Sequence, residues 1–415
     1  MRHLTFALAS VLVIGCAASA SQSTLPARTS SLQDAQRQTA SSTVGPSNNT
    51  ASCITSCGVF TGSGSTVSGD YAVIGGGYIN TASAEWDVVG GGRQNNASGI
   101  AATISGGGEN VASGYVSSTG GGSHQQASGY KSTIAGGTEN TADGDGATIG
   151  GGILNGGHGA DGVIAGGASN TVSGEFGAIG GGSLNSAGLE GVVAGGYQNA
   201  AGPQAAILGG VGNSAGGQYS VVIGGATNSA AGRFALAGGY RSSAPYAGDF
   251  VWSDSLVDGA ALAAQGANQF VARATGGVTF YTNSALTTGA TLAPGSGAWA
   301  SSSDRHAKAN IVAVDDERVL ARLVRLPVTA WSYRSEGSVR HIGPMAQDFH
   351  ATFGVGPDDK HITSIDEDGV AFAAIKALYA QLQTERTEVH HLERELKLLR
   401  AQTARGAAVT VGARR

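Results

Sequence analysis

Two hydrophobic rhythms divide this chain. From about residue 60 to 243, short apolar pairs alternate with glycines and small polar residues, as in "YAVIGGGYINTAS", "AATISGGGENVASG", "KSTIAGGTENTADG", "DGVIAGGASNTVSG" and "YSVVIGGATNSAAG". Asn80, Asn95 and Asn110 stand 15 residues apart, and the frame continues through Asn140, Asn155, Asn170 and Asn185, with Gln125 standing in at one turn. It tightens to 14 at Asn199 and Asn213 and returns to 15 at Asn228. A fixed period over about a dozen copies is the mark of a solenoid. Each apolar pair predicts a short strand with one buried face. The glycines predict positive φ or close backbone approach at a corner. The Asn predicts a left-handed corner residue that bonds its own backbone and stacks into a ladder of amides. One copy buries almost nothing, so stability has to come from stacking and from neighbouring chains.

The second rhythm is helical. "DDERVLARLVRLPVTAWSY" predicts a helix halted at Pro327 and then a strand. Further on, Ile375, Leu382, Val389 and Leu396 share one heptad position. Leu378, Leu392 and Leu399 share its partner position, with Glu385 the one polar break. That is a coiled-coil seam, which predicts self-association rather than a membrane-lying helix. Between the rhythms, residues 244–300 carry aromatics and turn glycines and predict a small β-rich neck with Trp252, Phe270, Phe280 and Tyr281 as its core.

Composition narrows the function. The chain of 415 residues has 69 glycines, 8 prolines, 13% charged residues and a net charge of −5, with no long basic run before the tail, so nucleic acid is not an expected partner. Glycine without a strict third-residue period excludes collagen. The repeat lacks the regular Asp of calcium-binding nonapeptides and the Gly-Lys-Ser/Thr of a phosphate loop, so no metal and no cofactor are expected. Asp366, Glu367 and Asp368 are expected as a solvated turn, and Gln347 and Asp348 as structural residues.

The N-terminus predicts an address. Arg2, His3, the apolar run Leu4 to Ile14 and Ala18-Ser19-Ala20 form a signal peptide over residues 1–20. "VIGC" also fits a bacterial lipobox, which would make Cys16 a lipidation site, and both readings stay open. Residues 21–58 predict a flexible tether, within which Cys53 and Cys57 are the candidate disulfide of an exported chain.

At the boundary between rhythms, "SSSDRHAK" crowds Ser303, Asp304, Arg305, His306 and Lys308 together. A serine is a poor nucleophile until a neighbour takes its proton, and lysine can do so only when its pKa falls from about 10.4. Arg305 would favour that fall, and Asp304 would oppose it if paired with Lys308. Five residues of α-helix would put Ser303 and Lys308 on different faces, so Ser303 is expected at a helix cap or turn. Ser-Asp is also a common helix cap with no chemistry attached.

Two resemblances add to this reading. "GGGxxNxASG" resembles the head repeats of YadA-like trimeric autotransporter adhesins, which implies a left-handed parallel β-roll of three chains, although no four-strand membrane anchor follows the head. "SDRHAK", "HIGPMAQDF", "DEDGVAFAAIKAL" and the terminal coiled coil resemble the self-cleaving intramolecular chaperone domain of phage endosialidase tailspikes and tail fibres. This implies a homotrimer, with Ser303 as nucleophile, Lys308 as base, cleavage between Ser302 and Ser303, and Asp304 and Arg305 in support.

The expected architecture is therefore mainly β. A repeat head spans 59–243 and the neck 244–300; an α+β chaperone domain spans 301–370, a coiled coil 371–402 and a disordered tail 403–415. The expected function is an exported trimeric fibre of the adhesin kind, secreted or on the surface or outer membrane of a bacterium. Its C-terminal domain assembles it and cleaves itself off, so any peptidase chemistry is a single autocatalytic turnover. The alternatives are a glycan-binding or glycan-depolymerising tailspike, with a surface glycan or host-surface ligand as partner, or a fibre that never cleaves. Depolymerisation needs two positioned carboxylates, whereas Glu85, Asp87, Glu109, Glu139 and Glu175 are scattered. A lipid anchor is the only membrane contact expected.

Overall fold

A computed structural model describes residues 48–53, 56–59, 61–255 and 259–412. The signal peptide, Cys16 and most of the tether lie outside the described residues. One compact unit runs to Thr279 and takes in Thr291–Ala300; the other comprises Phe280–Ala290 and the chain from Ser301 onward.

The first unit is a parallel β-solenoid. Each coil gives one short strand to each of two 15-stranded sheets. The first sheet begins Thr50–Ala51, Thr66–Val67, Thr81–Ala82 and ends at Leu262–Ala263. The second begins Gly58–Val59, Val73–Ile74, Val88–Val89 and ends at Phe270–Arg273. The 15-residue period is the register itself: Thr81 pairs with Asn96 and Val88 with Thr103. A third line of parallel bridges runs Ser63, Tyr78, Arg93, Gly108, Ser123 and onward to Ala226.

Two-residue strands have room for one inward side chain each. The second sheet contributes Ile74, Val89, Ile104, Ile134, Ile149, Ile164 and Ile179 to the core, all at most 1% exposed. The first sheet answers with smaller residues, Val67, Ala82, Ala97, Ala112, Ala127 and Ala142. Large against small suits a narrow coil, and each buried Ile or Val contributes about 1.5–3 kcal/mol.

The corner after the second sheet's strand explains the glycines. Gly77, Gly92 and Gly107 have φ of +94°, +95° and +91°, and a Cβ on any of them would lie 2.1–2.2 Å from a carbonyl oxygen of the next coil. No other residue fits both constraints.

The Asn column differs from the sequence expectation in one respect. The left-handed residue is the one before each Asn, as at Ile79, Gln94 and Glu109 with φ of 54°, 56° and 58°. The Asn itself turns its side chain into the coil. Asn170 Nδ2 donates to the carbonyls of Gly166 and Gly182, each at 3.0 Å, and its Oδ1 accepts from the Asn185 backbone N–H at 3.0 Å. The amide therefore serves carbonyls of its own and the next coil, which side chains at positive φ, pointing outward, cannot reach. The ladder of side-chain acceptors runs from Asn49, whose Oδ1 accepts the Ser65 N–H, through Ser65 Oγ below Asn80 to Ser242 above Asn228, and the side-chain donors lapse at Gln125, whose Nε2 is unpaired.

The solenoid also outruns the repeat motif at both ends. Strands Ser242–Ala244, Phe250–Ser253, Leu262–Ala263 and Phe270–Arg273 extend the two sheets although the Gly-Gly motif has stopped. Alternation there places Val251 and Ser253 inside, both fully buried, and turns Phe250 and Trp252 outward. Trp252, Phe270, Phe280 and Tyr281, expected as a neck core, are 41%, 72%, 60% and 53% exposed; beside the first two, Val251 and Val271 pack against the core instead. Three further short strands follow, Val278–Tyr281, Gly289–Leu292 and Trp299–Ser301.

The second unit is small and mostly helical. Helix α1 (Asp316–Leu323) is capped by Asp315, whose carboxylate accepts from the Arg318 N–H at 3.0 Å, and it stops before Pro327. A two-stranded antiparallel pair, Thr329–Trp331 and His341–Gly343, precedes helix α2 (Ala346–Phe353), which ends on Gly354 at φ 68°. Helix α3 (Ser364–Gly412) is a single helix of 49 residues, longer at both ends than the heptad pattern. Asp366 and Glu367 lie in its first turn and Asp368 just after it, so these residues are helical rather than a turn, with Glu367 and Asp368 exposed, and Asp366 reciprocates hydrogen bonds with Thr363. Few side chains are buried in this unit: Leu326, Phe349, Ala373, Ala374 and Ala377. On one chain alone the seam Ile375, Leu378, Leu382, Val389, Leu392, Leu396 and Leu399 is 47–62% exposed.

Candidate functional site at the Ser302–Ser303 bond

The boundary cluster folds as one tight turn. Ser302 is held in place by its N–H, which donates to the Gly289 carbonyl at 2.9 Å. Asp304 is extended (φ −64°, ψ 133°) and caps a short 3₁₀ turn, Arg305–Ala307. Its Oδ1 accepts from the His306 N–H at 2.9 Å and lies 3.0 Å from His306 Nδ1. The turn closes through Ala307 N–H to the Asp304 carbonyl and Lys308 N–H to the Arg305 carbonyl. The 3₁₀ turn is short and both Asp304 and Lys308 beside it are extended, so the chain doubles back and the long Lys308 side chain spans the turn, its Nζ reaching Ser303 Oγ at 2.7 Å.

This arrangement answers the question of which partner Asp304 takes. Its carboxylate is engaged by His306 and not by Lys308, and the His306 backbone N–H, then the His306 ring, hold its pKa below the ordinary carboxylate range. Arg305 contributes its carbonyl to the turn; among the described residues its guanidinium makes no hydrogen bond or ion pair. All six residues from Ser303 to Lys308 are exposed on the single chain. Neither the Gly289 contact, thirteen residues away in sequence, nor the His306–Asp304 pair was foreseeable from composition; the Asp-x-His spacing over a turn was the only local signal for the second.

Away from this cluster, a cleft of about 620 Å³ is lined by Trp331, Tyr333, His341, Met345, Gln347, Lys360 and other residues of the second unit. Trp331 stacks on His341 with ring centroids 4.8 Å apart. Asp87 is fully buried and accepts backbone N–H groups from Ala84 and Ala102, and Glu109 is paired with Arg93 and His124. Among the described residues, no group of three or more His, Cys, Asp or Glu could hold a metal ion, and no helix is long and apolar enough to cross a membrane. Cys53 and Cys57 are joined by a disulfide.

In sequence order, a parallel β-solenoid is followed by a compact, mainly helical unit. Residues 303–355 match the family model of the chaperone of endosialidase, and the match begins on Ser303. The chain thus carries an intramolecular chaperone domain behind a solenoid shaft, the architecture of a tail-fibre or tailspike-like protein. The match covers 53 of 415 residues. A search with the full sequence finds no similar curated protein.

Proposed function

We propose that this chain is an exported, surface-displayed trimeric fibre whose C-terminal domain assembles it and then severs itself between Ser302 and Ser303. The observation that carries the reading is the 2.7 Å contact between Lys308 Nζ and Ser303 Oγ at the residue where the chaperone match begins. With Lys308 neutral, Ser303 Oγ gives it a proton and attacks the Ser302 carbonyl carbon. The C–N bond breaks, the proton passes from Lys308 to the departing Ser303 nitrogen, and an ester joins Ser302 to Oγ. Water then hydrolyses the ester, leaving a Ser302 carboxylate and restoring the Ser303 hydroxyl beside a new α-amine. Asp304 supports the site by closing the turn. A site completed only when three chains assemble keeps an unassembled chain from cutting itself. The exposed leucine seam of α3 supports the trimer.

A glycan-binding head is the second reading, favoured by exposed aromatic pairs stacked from coil to coil at one corner: Tyr71 on Trp86, Tyr115 on Tyr130, and Tyr219 on Phe234. Retention of the fibre on a host polysaccharide without release of reducing sugar would support it. Cys16 acylation would add a lipid anchor.

The test is expression of residues 21–415 beside Ser303→Ala and Lys308→Ala, read by denaturing gel, intact mass and light scattering. Self-cleavage predicts a fragment of 113 residues beginning at Ser303 in the wild type and whole chains in both variants. A wild type that trimerises but stays whole would reduce the domain to an assembly device.

A further inference from the structure

In the solenoid, the corner from the first sheet to the second is closed each time by one backbone hydrogen bond between two fixed columns. Ala72 N–H donates to Gly69 O at 3.2 Å, Asp87 to Ala84 at 3.3 Å, Ala102 to Gly99 at 2.8 Å and Ser117 to Gly114 at 3.1 Å. The outermost described coil differs. Its first strand pairs Thr50 with Thr66 and its second pairs Gly58 with Val73, so one extra residue is accommodated at this corner. Carried through those registers, Cys53 falls on the column of Gly69 and Cys57 on the column of Ala72. The disulfide therefore joins the two columns that later coils join by a hydrogen bond, spanning four residues where the hydrogen bond spans three.

Both cysteines point into the core. Cys53 is 6% and Cys57 9% exposed, and they cluster with Val59, Val67, Ala72 and Ile74. Among the described residues, the strands on either side of them, Thr50–Ala51 and Gly58–Val59, are the end strands of their sheets. An end coil has a neighbour on one side only, and its stability rests on a single interface.

We propose that the Cys53–Cys57 disulfide is a redox-dependent cap that closes the first coil and keeps the solenoid from fraying at this end. A dithiol reductant attacks one sulfur, the S–S bond breaks, two thiols form on the chain and the reductant leaves as its own disulfide. The lengthened corner then has no covalent closure, and the end strands of both sheets open, leaving unpaired edges. Closing a five-residue loop restricts the open state by a factor of about thirty on the chain-entropy relation. The proposal does not depend on self-cleavage.

The experiment is hydrogen exchange by mass spectrometry on the full mature chain, with and without dithiothreitol, beside a Cys53→Ser/Cys57→Ser double variant. A cap predicts exchange about thirtyfold faster in peptides covering 50–67 on reduction, the same rise in the variant without reductant, and unchanged protection from about residue 100 onward. Unchanged protection at 50–67 on reduction would overturn it. An even rise along the whole solenoid would overturn it as well, because the bond would then act on global stability. Reduction of the folded wild type keeps the test open if the double variant does not fold.

Discussion

The coil spanning residues 117–132 gathers four of the unpaired buried side-chain atoms described in the solenoid, and Thr119→Val should strengthen it. Thr119 occupies the core column that holds Val89, Ile104 and Ile134 in neighbouring coils, and it is 1% exposed. Its hydroxyl has no hydrogen-bond partner, and the unpaired side-chain atoms of Ser117, Gln125 and Ser132 lie in the same stretch. A buried unpaired hydroxyl costs about 1–3 kcal/mol. Valine has the same shape, removes that cost and adds a buried methyl worth about 0.8 kcal/mol. A net gain of about 2 kcal/mol follows, or about thirtyfold in a local opening constant. Because solenoid stability is a sum of coil and interface terms, the gain should appear locally. Hydrogen exchange of peptides within 103–134 is the assay, with peptides near 200 as the internal reference. Equal or faster exchange in the variant would refute the reasoning, since it would mean that the hydroxyl is satisfied, for instance by an internal water.

The other expectations rest on single sites. Gln125→Asn should restore the ladder where it lapses, because Gln125 Nε2 is unpaired while Asn110 and Asn140 each donate to two carbonyls; slower exchange in the same coil, by about 1–2 kcal/mol, is the readout. Burial raises the pKa of Asp87 against the opposing pull of its backbone hydrogen bonds. A raised carboxyl pKa stabilises the fold below the unfolded value of about 3.9, and that contribution is lost as pH rises through the folded value. Asp87→Ala, the residue at 72 and 102 in the same column, should therefore flatten the pH dependence of unfolding on the acid side of neutrality, and an unchanged slope would count against it. If the chain cleaves itself, Asp304→Ala should slow cleavage about tenfold by loosening the turn, and Asp304→Asn, which keeps an acceptor for the His306 N–H, should restore most of the rate. Equal rates for all three would remove Asp304 from the site.

Much of this molecule is periodic, and a period is the one tertiary fact that a sequence states outright. Stacking at 15 residues means that whatever recurs in sequence is adjacent in space, so the apolar pairs, the glycine corner and the amide ladder were all legible from Asn80 to Asn228. The close spacing of Ser303 and Lys308 likewise limited them to a cap or turn if they were to meet. What the period left open is the path of the backbone within a coil. Whether Asn80 or Ile79 takes the positive φ depends on which side chain can reach the carbonyls of the next coil, and that is a property of the stacked pair. Register also decided how far the solenoid runs: strands 250–253 and 270–273 join it without the motif because alternation still supplies inward Val251 and Ser253. The same alternation turns Trp252 and Phe270 out, against their hydrophobicity. At the boundary, composition showed a carboxylate beside a lysine, and only the folded turn assigned Asp304 to His306 and left Lys308 on Ser303. Local chemistry and periodicity are one-dimensional and survive in a sequence; the choice among several feasible partners is made by distance, which exists only once the chain has folded.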